Sequence, residues 1–165
     1  MKILAVFIFA LFFSCQSSIN QCDNASFRGF THYESTSLII YKTPDGEILK
    51  EVGPDEEAGW IVEIKGLKGD YFKVDIPDLE IKDAWVSKGS ISVNTRNYDG
   101  QKITLYESPA KSSSETGYLT KEQTVRVWDA CNNWVYIEGK DEIGNLIKGW
   151  LEPEMQCGNP YTTCP

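Results

Sequence analysis

Apolar residues along this chain fall in short runs rich in β-branched and aromatic side chains, and clusters of Gly, Pro, Asn, Asp and Ser separate them. The runs at 38–41, 61–64, 71–76, 103–106, 124–128, 134–137 and 146–151 read as strands, and the stretch 85–93 closes the first group of them. Turn signals punctuate them: Thr43-Pro44-Asp45-Gly46, the loop 66–70, the Asn-Tyr-Asp-Gly of 97–100, and Asn132-Asn133. Pro77 ends the 71–76 run or places it at an edge, because Pro cannot donate to a strand ladder. The runs 134–137 and 146–151 read as two arms of a hairpin joined across 139–145. No useful window holds apolar residues at the 3.6-residue helical period, so helix should be sparse.

The pattern occurs twice. The stretch 132–151, NNWVYIEGKDEIGNLIKGWL, has a looser earlier copy at 69–86, GDYFKVDIPDLEIKDAWV. Each opens with an aromatic at the head of a strand and closes on a small residue, Trp and an aliphatic: Ala84-Trp85-Val86 and Gly149-Trp150-Leu151. Upstream, Ile103-Thr-Leu-Tyr106-Glu-Ser-Pro109 echoes Leu38-Ile-Ile-Tyr41-Lys-Thr-Pro44, and Val125-Arg-Val127 echoes Val62-Glu-Ile64. The offset drifts by two residues and recovers, as small loop insertions make it do. Two units point to tandem domains and not to a solenoid. Each would be small enough to gain from packing on the other.

The formal charge is −8, with no basic cluster. Nucleic acid is a poor partner for such a chain, since that affinity rests on Lys and Arg at phosphates. The amino terminus changes the picture more. Lys2 precedes an uninterrupted apolar run, 3–13, which is too short to span a membrane and reads as an export signal over 1–14. Ser14-Cys15 ends it. A small residue directly before Cys at this place resembles the lipobox of bacterial lipoproteins, which implies cleavage before Cys15, lipidation of Cys15 and a membrane anchor. The alternative is a plain secretory signal cut nearby. The polar segment 15–37 reads as a tether, although Phe27, Phe30 and Tyr33 leave room for an added strand within it.

With Cys15 lipidated, Cys22, Cys131, Cys157 and Cys164 remain, an even number in an exported chain and hence a pair of disulfides. Gly158-Asn159-Pro160 is a turn that favours Cys157–Cys164, leaving Cys22–Cys131. Cys131–Cys157 is the rival pairing. The paired CxxC spacing of a four-cysteine zinc site is absent, as is a calcium-loop motif, and no cofactor is expected.

From Tyr106-x-x-Pro109 through a Ser-rich loop, Leu119-Thr-Lys-Glu-Gln-Thr-Val-x-Val127, Asn133-Trp-Val-Tyr-Ile137 and Gly149-Trp-Leu151, the second unit resembles a bacterial SH3 domain. The first unit is similar but degenerate, with Ala84 in place of Gly and an acidic first loop holding Asp45, Glu47, Asp55, Glu56 and Glu57. The resemblance implies an all-β chain of two tandem small SH3-like β-barrels, 38–97 and 98–165, after the signal and the tether. It also implies ligand binding at an aromatic groove. Tyr41, Trp60 and Tyr71 are the candidates in the first unit, and Tyr106, Trp128, Trp134 and Tyr136 in the second. Trp85 and Trp150 are expected in the core. Trp134 and Tyr136 share one face of their strand and Val135 and Ile137 the other, and the pattern alone does not say which face is core.

Catalysis finds little support. His32 is the only His, and it lies in the tether region. None of the Cys has a His neighbour in sequence to act as its base. The expected function is therefore non-catalytic binding at the bacterial cell envelope, to a peptide, a cell-wall fragment or an envelope protein. The alternative is a periplasmic inhibitor or immunity-type protein that blocks an envelope enzyme, and a structural adaptor is a third possibility. In a Gram-negative cell the location would be periplasmic or at the outer membrane.

Overall fold

A computed structural model of the chain describes residues 22, 24–32, 37–53, 59–97 and 100–161. Among these residues the chain is all-β, with single 3₁₀ turns at Pro77–Leu79 and Pro153–Met155. The first six strands are β1 (Phe27–Thr31), β2 (Leu38–Tyr41), β3 (Ile48–Val52), β4 (Ile61–Lys68), β5 (Tyr71–Ile76) and β6 (Ile81–Ser87). Then come β7 (Ile91–Thr95), β8 (Ile103–Tyr106), β9 (Glu115–Leu119), β10 (Thr124–Cys131), β11 (Trp134–Lys140), β12 (Leu146–Leu151) and β13 (Gln156–Cys157).

The strands pair antiparallel in the order β3-β2-β6-β5-β4-β1-β7-β10-β11-β12-β8-β9, with β13 on β7. Read outward from the β1–β7 seam, both halves have the same order. The strand partners repeat as well. Tyr41 stands across from Trp85 as Tyr106 stands across from Trp150, and Ile40 meets Val86 as Leu105 meets Leu151. Shifts of register also fall at matching places, between Ile64 and Gly66 in β4 and between Val127 and Asp129 in β10. The sequence repeat is thus a repeat of strand pairing.

β1, β3 and β9 are among the elements not legible as strands in the pattern. β1 lies within the segment read as a tether, yet it pairs along β4 from Phe27↔Ile64 to Phe30↔Ile61. Its alternation is hidden because Gly29 takes a buried position where a Cβ would sit 2.7 Å from Ile91 Cγ2. β3 and β9 are the two ends of the sheet and are largely exposed, burying only Val52 and Leu119 at their last positions, so neither shows a period of two.

A single aliphatic core runs through both halves; among the described residues Phe72 is the aromatic in its buried cluster, and Phe30 is buried as well. Fully burying each such Ile, Leu or Val contributes about 1.5–3 kcal/mol. Alternation sets which side chains join it: Val135 and Ile137 of β11 are buried while Trp134 and Tyr136 are only half-buried. The same parity corrects one expectation. Trp85 and Trp150 are not core residues; Ala84, Val86, Gly149 and Leu151 take the inward positions and leave both indoles half-buried on the outer face.

The chain ends fasten the seam. Cys22 forms a disulfide with Cys131. Beside it, Ser26 N donates to Asn132 O at 2.8 Å and Asn132 N to Asn24 O at 2.7 Å. Cys157 is disulfide-bonded as well. With Cys131 already joined to Cys22, the Cys131–Cys157 pairing is excluded. Cys164 and Cys15 lie outside the described residues, as do Asp55, Glu56 and Glu57 of the acidic loop. From β13 the chain crosses β1, where a Cβ on Gly158 would lie 2.1 Å from Arg28 O. Tyr161 then donates its hydroxyl to Gly59 O at 3.1 Å.

Candidate functional site

The outer face of the second half carries four half-buried aromatic residues, besides the exposed Tyr118 of β9. β11 supplies Trp134 and Tyr136, β12 supplies Trp150 and β8 supplies Tyr106, all of them half-buried. Tyr106 and Trp134 meet edge to face with ring centres 5.6 Å apart, and Tyr136 and Trp150 do so at 5.5 Å. Such pairs are worth about 0.5–1.5 kcal/mol beyond area burial, enough to hold the rings in place without enclosing them. Strand partners draw one line across the face: Asp129↔Tyr136, Tyr136↔Trp150, Trp150↔Tyr106 and Tyr106↔Glu115.

The charges around this line are mostly paired. Lys88 reaches Asp129 at 2.7 Å, and Lys148 reaches Glu138 at 2.5 Å. The Glu138 carboxylate holds the Lys148 ammonium above its ordinary range. Lys111, from the Ser-rich loop, forms an ion pair with Glu152 and lies 3.7 Å from Glu154. Its pKa is likewise raised, chiefly by the Glu152 bond. Arg126 holds its guanidinium 5.5 Å from the Trp128 ring centre.

The first half has a shorter version of this face. Tyr41 and Tyr71 meet edge to face at 5.5 Å, beside Trp85. The equivalent line reads Gly66, Lys73, Trp85, Tyr41 and Ile48, so Lys73 replaces Tyr136 and an exposed Ile48 replaces Glu115. The Tyr71 hydroxyl donates to Asp45 at 2.8 Å, which holds the phenol above its usual range. Lys73 is engaged by Asp83 at 2.7 Å.

The structure therefore brings Tyr41 and Tyr71 together, and Tyr106, Trp134 and Tyr136 together. Trp60 and Trp128 stand apart. Trp60 packs against the core, and its amide donates to Thr31 Oγ1 at 2.9 Å. Trp128 occupies the bulge of β10 and lies over Gly89, at the turn between β6 and β7. There it joins the halves alongside the Lys88–Asp129 bridge. Sequence reasoning missed Trp85 and Trp150 as members of the two faces. The signal was their place across from Tyr41 and Tyr106, which strand pairing reveals and chain order does not.

His32 Nδ1 lies 2.5 Å from Ser92 Oγ at the seam. Ser92 is fully buried, so its hydroxyl cannot meet a substrate. Among the described residues no group of three His, Cys, Asp or Glu side chains is placed to hold a metal ion.

No protein-family model matches the chain. No curated protein matches it either. Solved structures similar to it include NlpC2 from Trichomonas vaginalis, at 16% identity and a TM-score of 0.36, covering 85% of this chain and 51% of that one. NlpC1 from the same organism matches at 15% identity and a TM-score of 0.33, covering 79% of this chain and 45% of that one. The chain spans about half the length of these two structures, and likeness at this level carries no argument about fold or activity.

Proposed function

We propose that the two halves are SH3-like barrels in tandem and that the second acts as a non-catalytic binding module at the bacterial cell envelope. It takes a peptide, a cell-wall fragment or a protein partner on the face of Tyr106, Trp134, Tyr136 and Trp150. One observation carries this reading. The core is filled almost entirely by aliphatic residues, while four rings, in two edge-to-face pairs, are left half-open to solvent on one face. Tyr and Trp combine large apolar area with a polar handle and few rotatable bonds, which suits them to ligand surfaces. The first half, with its Tyr71 hydroxyl tied and Lys73 interrupting the row, supports the second through the shared core.

Lipidated Cys15 would anchor the chain, so Cys15→Ser should move the protein from the membrane to the soluble fraction. Sedimentation of the purified full chain with cell walls, and capture of detergent-solubilised envelope proteins, test the binding role. Wild type should be retained by one of the two materials, and Trp134→Ala should lose at least about 2 kcal/mol of that binding. Retention of Trp134→Ala at wild-type strength would overturn the assignment of the face. A tight one-to-one complex with an envelope hydrolase, formed without these aromatics, would favour the inhibitor instead.

A further inference from the structure

The turn that joins β11 to β12 holds apolar side chains out in water. Ile143 is 83% exposed and Leu146 61%, more than any other large apolar side chain among the described residues. A loose loop does not explain this. The Asp141 carboxylate accepts from Ile143 N at 3.0 Å and from Asn145 N at 2.8 Å, and the chain closes through Gly144 at a φ of 87°. Tyr118 of β9, also exposed, lines one hollow with Gly117, Ile143 and Ile147. The first half keeps these strands without the patch. Its matching turn packs Leu79 against the core, and Glu51, across from Ile39, stands where Tyr118 stands across from Thr104. The strand pattern therefore does not require the patch, and an exposed apolar cluster absent from the sister copy marks a contact surface.

Two observations choose a lipid bilayer as its occupant. The first is composition. Lys102 holds its ammonium 4.3 Å from the Tyr118 ring centre, and Lys140 stands across from Leu146. Aliphatic side chains at a tip, with a tyrosine and lysines behind them, fit the headgroup boundary, where rings rest and lysines reach back to water. Lys102 and Lys140 balance Asp141 and Glu142, so no net charge opposes insertion. The second is reach. From the end that holds the Cys22–Cys131 bridge, the seven residues of β11 run about 24 Å to the turn. Cys15 is seven steps from Cys22, a tether of at most about 25 Å. An anchor at Cys15 thus lets the tip meet the bilayer that holds it. Resting on the lipid-anchor reading given above, we infer that Ile143, Leu146 and Tyr118 form a second membrane contact. They enter the headgroup boundary and, together with the anchor, fix how the aromatic face is turned above it.

The test uses the full chain, as exported, mixed into vesicles of phosphatidylethanolamine and phosphatidylglycerol that carry a nitroxide on the acyl chains. Ile143→Cys bears a bimane fluorophore. Ile48→Cys, at an exposed isoleucine of β3 in the first half, bears the same fluorophore as the control. Both side chains face water, so neither change disturbs the core. The label at 143 should lose fluorescence to the lipid nitroxide and be shielded from aqueous iodide. The label at 48 should be quenched by iodide and not by the lipid. Equal lipid quenching at the two positions would overturn the proposal, because the tip would then have no preference for the bilayer. A label at 143 shielded from iodide yet out of reach of the nitroxide would overturn it as well, since protein would be covering the tip. So would a label at 143 that stays open to iodide. Sedimentation of the same vesicles then tells which reading failed. A chain that sediments with them keeps its anchor and loses only the second contact, and a chain left in the supernatant loses both.

Discussion

Replacing both Cys22 and Cys131 by alanine removes a crosslink between residues 109 apart. A loop of that length restrains the unfolded chain strongly, and its loss should cost about 4.8 kcal/mol in the chain-entropy account. At roughly 2–4 °C per kcal/mol for a chain of this size, the melting temperature should fall by roughly 10–20 °C. The native contacts beside the bridge should survive, because Ser26, Asn132 and Asn24 hold the same strands by backbone hydrogen bonds and β1 still pairs with β4. The assay is thermal unfolding of the double-alanine variant followed by circular dichroism. The variant is preferable to a reducing agent, which would also open the disulfide at Cys157. A drop of less than about 3 °C would refute the reasoning, since it would mean that the crosslink does not restrain the unfolded state.

Further outcomes follow from the seam and from one buried carboxylate. Gly158→Ala places a Cβ against the Arg28 backbone, which cannot swing away, so urea unfolding should show a loss of about 1–3 kcal/mol; an unchanged midpoint would mean that the C-terminal segment does not lie on β1. Burial alone would push the Asp75 carboxyl up, but the Lys65 ammonium and the Asp83 amide outweigh it and leave it below the ordinary carboxylate range. A lowered folded pKa gives stability that is present above the unfolded value and lost as pH falls through the folded one. The stability gap between wild type and Asp75→Asn should therefore narrow from about pH 5 to about pH 2, and a gap that stays constant there would contradict the assignment.

Much of the architecture was written in the residue pattern because strand pairing preserves landmarks. Tyr41 and Tyr106 recur with Trp85 and Trp150 as strand partners, and the two lines of pairing carry the repeat. The orientation of those tryptophans was not legible. Trp150 has Gly149 on one side and Leu151 on the other, so its neighbours along the chain do not set its parity. The structure settles the parity through space, because a Cβ on Gly149 would lie 2.4 Å from Thr116 Oγ1 and 2.9 Å from Leu105 Cβ. Trp60 and Trp128 looked equivalent to the face residues because aromatic type says nothing of location. One packs on the core, and the other bulges onto the neighbouring half. The edge strands β3 and β9 escaped notice because all but their last residues, Val52 and Leu119, meet water. The matching lines that set Glu115 against Ile48 needed the register itself.

Tyr136 and Ile137 are neighbours on β11 that point to opposite faces, one half-buried and one fully buried. Binding to envelope material and thermal stability, measured together for Tyr136→Ala and Ile137→Ala, test the claim that the outer aromatic face binds while the inner aliphatic face folds the protein. Ile137→Ala should cost about 2–5 kcal/mol of stability. Tyr136→Ala should cost only about 1 kcal/mol of stability, chiefly its edge-to-face pair with Trp150. It should nonetheless lose about 2 kcal/mol or more of binding. If Tyr136→Ala unfolds the chain as Ile137→Ala does, or binds as wild type does, the face is not a binding surface.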